Sequence, residues 1–433
     1  MFPQDFRWGT ATSSYQVEGN NQNSDWWAWE KTPGAISKGH LSGPAADWWE
    51  NAERDLDLAA EMGTNAHRLS LEWSRIEPSP SVFSMEAIDR YREILSGMRQ
   101  RGIEPMVTLH HFSNPLWLVE KGDWGSEVCV DYFRRYTAKV VGELGELIPK
   151  WITINEPMVY IVRRYLDRLV PAPQHTGLAA AGRAMHTMLR AHAAAYHTIK
   201  DALPEAEVGV AKNMIVLEPQ SPGNPLASRW NRLVQYWFND AWMEFMVSGR
   251  PRWPIGRGTI EGLAGSFDFV GINYYSRYFS KFPPFGGFVA DSWGPGAVVS
   301  DGNYGEVYPD GLFQVIKASR RYNKPIYITE NGLPDKTDRL RPQFIIRHLR
   351  EVWRAINFNY PVMGYYHWSL VDNFEWDQGW TQRFGLLALD LETQERSWRP
   401  SGRLYQQICQ TGSVSSEMAQ EFAPEVMKTL FPG

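Results

Sequence analysis

Lys324–Gly332 runs KPIYITENG. Pro325–Thr329 is short, largely apolar and rich in β-branched and aromatic residues, the pattern of a strand buried on both faces. It stops at an acid, an amide and a glycine, so Glu330 stands where a buried strand meets a loop. A carboxylate there is costly to bury without a partner or a task. Taken alone, the stretch fits either a structural ion pair or a reacting group.

The same pattern, a short apolar strand followed by a loop and a helical periodicity, recurs along the chain. Strands are expected at Phe6–Ala11, Ala66–Leu71, Glu104–His110, Trp151–Ile154, Glu207–Met214, Phe267–Tyr274, Pro325–Thr329 and Val362–Ser369. Helices are expected between and after them, at Asp47–Met62, Ser84–Gln100, Ser126–Leu147 (with Ser126 as N-cap), Leu178–Leu203, Asn231–Ser248, Asp310–Tyr322, Pro342–Asn357 and Ser401–Gln410. Eight such repeats predict a single α/β domain, a (β/α)8 TIM barrel spanning 1–410. No GxGxxG or P-loop follows a strand, which argues against doubly wound nucleotide-binding domains. Three Gly-, Trp- and Pro-rich insertions, Gly19–Pro44, Lys281–Tyr308 and Asp372–Trp398, follow strands and so form long βα loops on the active-site face. The tail 411–433 begins polar and then carries a weak amphipathic pattern through Met418, Phe422, Val426, Met427 and Leu430. A short helix packed on the barrel, support for a homo-oligomer and a frayed end are all compatible with it.

A net charge of −5 without a basic block gives no nucleic-acid surface. No apolar run approaches the roughly 20 residues that span a bilayer. The N-terminal MFPQDFRWGT lacks a basic and an apolar leader region, and Cys129 and Cys409 stand in no metal or redox spacing. A cytoplasmic location is the expectation. The 20 tryptophans, 19 tyrosines and 20 phenylalanines are enough to pack a large core. Many tryptophans, however, sit beside acids, amides or glycines, an arrangement that suits a ligand with apolar C–H faces and a polar edge, such as a sugar.

In a barrel the strand C-termini converge on one pocket. Arg68 and Ser70, His110-His111, Asn155-Glu156-Pro157, Asn273-Tyr274-Tyr275, Glu330-Asn331-Gly332 and His367-Trp368-Ser369 are the polar residues so gathered, with Asp372–Trp376 in the loop after the last strand. Glu156 and Glu330 end the fourth and seventh strands and face each other across the mouth. A carboxylate pair does chemistry when the two environments differ, one acid staying ionised and the other protonated. Arg68 and a tyrosine hydroxyl suit the first state. Asn155, a neutral neighbour, leaves the other acid free to keep its proton. His110 and His111 are adjacent on a strand and point to opposite faces, so both cannot ligate one ion. With no HExxH, Cys-His set or GxSxG elbow, neither metal nor other cofactor is expected.

These motifs resemble glycoside hydrolase family 1, the β-glucosidase/β-galactosidase family of retaining (β/α)8 enzymes. The likeness runs from FPQDFRWGTATSSYQVEG at Phe2 to about Ile408, and its markers are WITINEP (Trp151–Pro157), YITENG (Tyr327–Gly332), GINYYS (Gly271–Ser276) and HWSLVDNFEW (His367–Trp376). The resemblance implies Glu330 as nucleophile and Glu156 as acid/base, with Asn155 on the sugar 2-hydroxyl. Gln16, His111, Glu375 and Trp376 would grip other hydroxyls and Trp368 would lie under the sugar ring. Arg68, Asn273 and Tyr275 would position and support Glu330. The implied reaction is hydrolysis of small β-glycosides or oligosaccharides with net retention.

Four positions depart from the family pattern. Phe112 follows His111 where tryptophan is frequent, and Gly305 stands where a tryptophan commonly walls the leaving-group side, unless Tyr304 compensates. Arg163–Arg168 (RRYLDR) replaces a glycine-containing segment, and reads either as solvated helix surface or as a basic rim. The tail is the fourth. Glu375 would repel a phosphate, which disfavours 6-phosphorylated sugars. A transglycosylase and an inactive sugar-binding member are the other readings of the same scaffold.

Overall fold

Eight short strands occur in chain order: β1 (Arg7–Ala11), β2 (Ala66–Ser70), β3 (Glu104–His110), β4 (Lys150–Asn155), β5 (Glu207–Asn213), β6 (Phe269–Asn273), β7 (Ile326–Asn331) and β8 (Val362–Trp368). Each pairs in parallel with its neighbours, and β8 closes on β1, with Gly9 opposite Tyr366. Helices α1 (Trp48–Glu61), α2 (Met85–Gln100), α3 (Cys129–Leu144), α4 (Leu178–Ala202), α5 (Ala241–Ser248), α6 (Pro309–Ser319), α7 (Arg341–Asn357) and α8 (Pro400–Thr411) follow the strands in turn. The chain is a (β/α)8 barrel. This is a computed structural model that describes residues 1–284, 287–290 and 292–430.

The barrel interior is filled, not open. Ala11, Ala66, Met106, Ile152, Ala211, Phe269, Tyr327 and Tyr366, one from each strand, form a buried cluster inside it. Large rings fill the space left by glycines: a Cβ on Gly9 would sit 2.5 Å from the Tyr366 ring, and one on Gly209 2.7 Å from Phe269. At the N-terminal end Lys150 Nζ lies 2.8 Å from Glu104 and 3.3 Å from Glu207, and Arg7 Nε 3.1 Å from Glu104. This charge-paired floor leaves the C-terminal mouth as the place where function can be built.

Several expectations need correction. Ser84 caps α2 by accepting from the Ala87 N–H, but Ser126 does not cap α3, which begins at Cys129 after Val128. The helical run before β6 starts at Pro225, capped by the Asn224 side chain, and passes through a π-helical turn (Tyr236–Asp240) into α5. Strand β7 continues through Asn331, so Glu330 lies within it. The solvated-surface reading of Arg163–Arg168 fails at Arg164 and Tyr165, both buried, because the π-helical turn Val162–Asp167 directs Arg164 into the protein. The Lys281–Tyr308 insertion includes 285, 286 and 291, which fall outside the described residues.

The tail packs back on the barrel. Ser415 caps a helix at Ser416–Phe422, and Met418, Ala419, Ala423 and Val426 are buried against α7 and α8. Its last residues, 431–433, lie outside the described residues. Among the described residues no helix is long and apolar enough to cross a membrane.

The glycine ending the opening stretch has a packing reason. A Cβ on Gly332 would lie 1.8 Å from the Trp368 carbonyl oxygen, backbone that cannot swing aside. Gly332→Ala is expected to cost about 3 kcal/mol, the upper part of the range for overpacking. Urea unfolding should show a lower midpoint with an unchanged slope; a loss below about 0.5 kcal/mol, the size of an ordinary surface change, would show that the contact yields.

Candidate active site

Both strands that carry the paired glutamates change ladder register just before the acid. The β7 pairing with β6 shifts between Ile328 and Glu330, and that of β4 with β5 shifts between Ile152 and Asn155. Bulges of this kind re-aim side chains at strand ends. Glu330 is consequently aimed at the pocket, although Tyr327 and Thr329, at alternating positions, already point inward. Glu156 has left-handed backbone (φ 43°, ψ 57°), and Pro157 opens a short helix, Pro157–Ile161, directly after it.

The two acids have different surroundings. Glu330 is 3% exposed, ion-paired with the fully buried Arg68 on one oxygen and accepting from Tyr275 Oη at 2.6 Å on the other. Glu156 is 6% exposed and, among the described residues, has no cation bonded to it; Oε1 accepts from Asn273 Nδ2 at 2.8 Å and Asn213 Nδ2 at 3.2 Å. Burial, and next the charge of Glu330, push its carboxyl up to about 7, against the opposing pull of those amides and Arg68.

Arg68 links the two halves. Besides Glu330 it donates from Nη2 to Asn155 Oδ1 at 2.6 Å and from Nε to Thr108 Oγ1 at 3.2 Å. Asn155 Nδ2 in turn lies 3.1 Å from His111 Nε2. An amide N–H there makes Nε2 the acceptor and leaves the His111 proton on Nδ1, an atom with no partner among the described residues. Burial, and then Arg68, hold His111 well below its usual range, so the ring is neutral.

The remaining expected residues line the same mouth. His111 lies nearly parallel to the Trp368 and Trp376 rings, each centroid 6.0 Å away. Trp376 stacks on Tyr15 at 5.8 Å and meets Phe112 edge-on at 5.2 Å. Gln16 takes a bond from Ser13 and donates to Asn373 at 2.9 Å and to Glu375 at 3.1 Å. Burial, then the charges of Asp377 and Glu330, push the Glu375 carboxyl up to about 8.

One placement differs from expectation. Asn273 donates to Glu156, not Glu330, because its Oδ1 is held by the Thr329 hydroxyl at 2.6 Å and its NH2 therefore faces β4. Asn213, at the end of β5, is a further site residue outside the set expected above; its signal in the sequence is a polar residue closing a barrel strand. The ammonium of the neighbouring Lys212 donates to the Asn213 carbonyl at 2.6 Å. Tyr304 also belongs here: its ring meets Phe384 at 5.2 Å and its hydroxyl reaches Glu375 at 3.4 Å. Among the described residues no group of three or more His, Cys, Asp or Glu side chains is arranged to hold a metal ion.

Comparison with known proteins places the chain in a family. A family model described as Glycosyl hydrolase family 1 matches residues 1–413. The chain is 30% identical to beta-glucosidase A of Thermotoga maritima, over 95% of this chain and 98% of that protein. It is likewise 30% identical to a beta-galactosidase of Saccharolobus solfataricus, over 96% of each. The solved beta-glycosidase from Pyrococcus horikoshii superposes with a TM-score of 0.89 at 34% identity, covering 97% of each chain. The chain belongs to glycosyl hydrolase family 1 and is an enzyme of the β-glycosidase class.

Proposed function

We propose that this enzyme hydrolyses terminal non-reducing β-D-glucosyl residues, and β-galactosyl or fucosyl residues as well, with retention of configuration. The observation that carries the reading is the asymmetry of the two acids. Glu330 is ion-paired and aimed, whereas Glu156 is desolvated and holds a proton to about pH 7. In the first step Glu330 attacks the anomeric carbon while Glu156 protonates the departing oxygen, giving a glycosyl-enzyme. In the second, Glu156 takes a proton from water, which displaces the sugar from Glu330. The mouth supports a sugar ligand: Trp368 and Trp376 offer flat faces, and Gln16, Asn155, Glu375 and His111 Nδ1, unpartnered among the described residues, offer hydrogen-bonding groups. That relatives are named for both glucose and galactose supports the broad sugar range. Glu375 is a carboxyl where a 6-phosphate would need a cation, which favours unphosphorylated sugars.

A 2-deoxy-2-fluoro glucoside slows the second step and should leave a covalent label that peptide mass mapping places on Glu330. A label on any other residue overturns the assignment, and Glu330→Ala is expected to lose essentially all turnover.

With Glu156 as the acid, kcat/KM should fall as pH rises through about 7. Glu156→Gln should erase that limb and slow substrates with poor leaving groups by about 10²–10⁴-fold. Aryl glycosides with good leaving groups should be spared in the first step. An unchanged profile would exclude Glu156 from this role.

The same shift has a stability consequence. The folded-state pKa of Glu156 lies above the ordinary carboxylate value, so its contribution is intact below about pH 4.5 and is lost as pH rises through about 7. Thermal unfolding of Glu156→Gln should therefore show an advantage over wild type that grows across this window, towards about 3 kcal/mol. A difference independent of pH would contradict the raised pKa.

A further inference from the structure

Arg163 and Arg164 follow Glu156 on one continuous helical segment, whose first hydrogen bond runs from Tyr160 N–H to the Glu156 carbonyl at 3.0 Å. The two guanidiniums diverge. Arg164, 1% exposed, turns inward, with Nε 2.7 Å from Asp123 Oδ2 and Nη1 2.8 Å from Asp25 Oδ2. These acids belong to the loops after β3 and β1, so Arg164 anchors the segment to the body of the barrel. Arg163 turns the other way, and its Nη2 lies 2.8 Å from Asp377 Oδ1 in the loop after β8.

Asp377 is two residues beyond Glu375 and next to Trp376. The turn carrying it is tight: the Glu375 N–H donates to the Gly379 carbonyl at 2.8 Å, and Trp376 has a positive φ of 48°. Trp376 itself packs on Tyr15, Trp26, His111 and Phe112, all from the loops after β1 and β3. Among the described residues, Arg163–Asp377 is the ion pair or hydrogen bond joining segment 157–168 to the 372–398 loop. Arg163 is 34% exposed and Asp377 21%, so the pair is screened only in part.

We propose that Arg163–Asp377 is a positioning latch across the pocket mouth. It ties the Glu375–Trp376 turn to the helix rooted on Glu156, so that the groups gripping the sugar and the acid serving its leaving oxygen keep a fixed spacing. The role assigned to those groups rests on the glycosidase reading above.

Removing either partner releases the same turn, but the two removals act oppositely on charge. Arg163→Met leaves Asp377 unneutralised beside Glu375, whereas Asp377→Asn takes that charge away. A latch therefore predicts the same change from both. With a 4-nitrophenyl β-glucoside, each single variant should raise KM by about 3- to 5-fold, the worth of a partly exposed ion pair, with kcat nearly unchanged. The double variant should be no worse than either single one, and the exchanged pair Arg163→Asp with Asp377→Arg should recover most of the loss. Amide hydrogen exchange across 375–379 in the unliganded enzyme should accelerate by a similar factor in both single variants and slow again in the exchanged pair. Tm should stay unchanged, unlike in Arg164→Met, which breaks a buried pair.

Opposite KM shifts for the two single variants would show action through the charge on Glu375 and overturn the latch, as would exchange rates equal to wild type. A wild-type enzyme without glucosidase activity would defeat the glycosidase reading instead, while the exchange measurement still decides whether the latch exists.

Discussion

A fully buried guanidinium governs the mouth of this barrel. Arg68 leaves β2, crosses the interior and reaches Glu330 on β7, Asn155 on β4 and Thr108 on β3. Desolvating that charge is tolerable only if its pairing is complete, and removing one partner of such a pair leaves an uncompensated charge behind. The strands that meet Arg68 are far apart in the chain but are brought round it by barrel closure. The site therefore depends on the closed barrel, and the closed barrel requires Arg68 to be satisfied.

The architecture was legible because its repeat is long and regular: apolar strands, helical periodicity and polar residues at strand ends. Which polar residues would meet was legible too, since the barrel sends all strand C-termini to one mouth. Fine geometry was not. Alternation along β7 puts Tyr327 and Thr329 inward and would turn Glu330 away, and only a register shift in the ladder brings it back. A bulge depends on how two strands pair and leaves no mark in either strand's own sequence. Asn273 shows the same limit, for its orientation is set by the Thr329 hydroxyl on the neighbouring strand, which donates to its Oδ1.

RRYLDR shows where local reading fails for another reason. A run of charge usually marks solvated surface, and half of that expectation holds, since Arg163 and Arg168 reach solvent. Arg164 does not, because Asp25 and Asp123, distant in sequence, make burial of its charge affordable. The partner acids were visible in the sequence, but nothing there showed that they would meet. Departures from a family pattern can therefore carry structure: here the consecutive arginines bind three loops to the segment that bears Glu156.

Charge balance in the pocket follows from burial and narrows what it can receive. The same desolvation lifts Glu156 to about 7 and Glu375 to about 8 while holding His111 far below its usual range. Near neutral pH His111 and Glu375 carry little charge, and Glu156 is poised between its two states. Arg68 is matched by Glu330. On the proposed glycosidase reading, a neutral polyol exchanging hydrogen bonds with Gln16, Asn155, His111 and Glu375 would leave that balance undisturbed. An anionic group near Glu375 would drive that carboxyl still further towards its protonated form, and among the described residues no basic residue bonds to Glu375 to receive the anion. Aromatic walls complement that balance: Trp368 and Trp376 are buried at the mouth, flat apolar surfaces that suit the C–H faces of the sugar in the proposed reading.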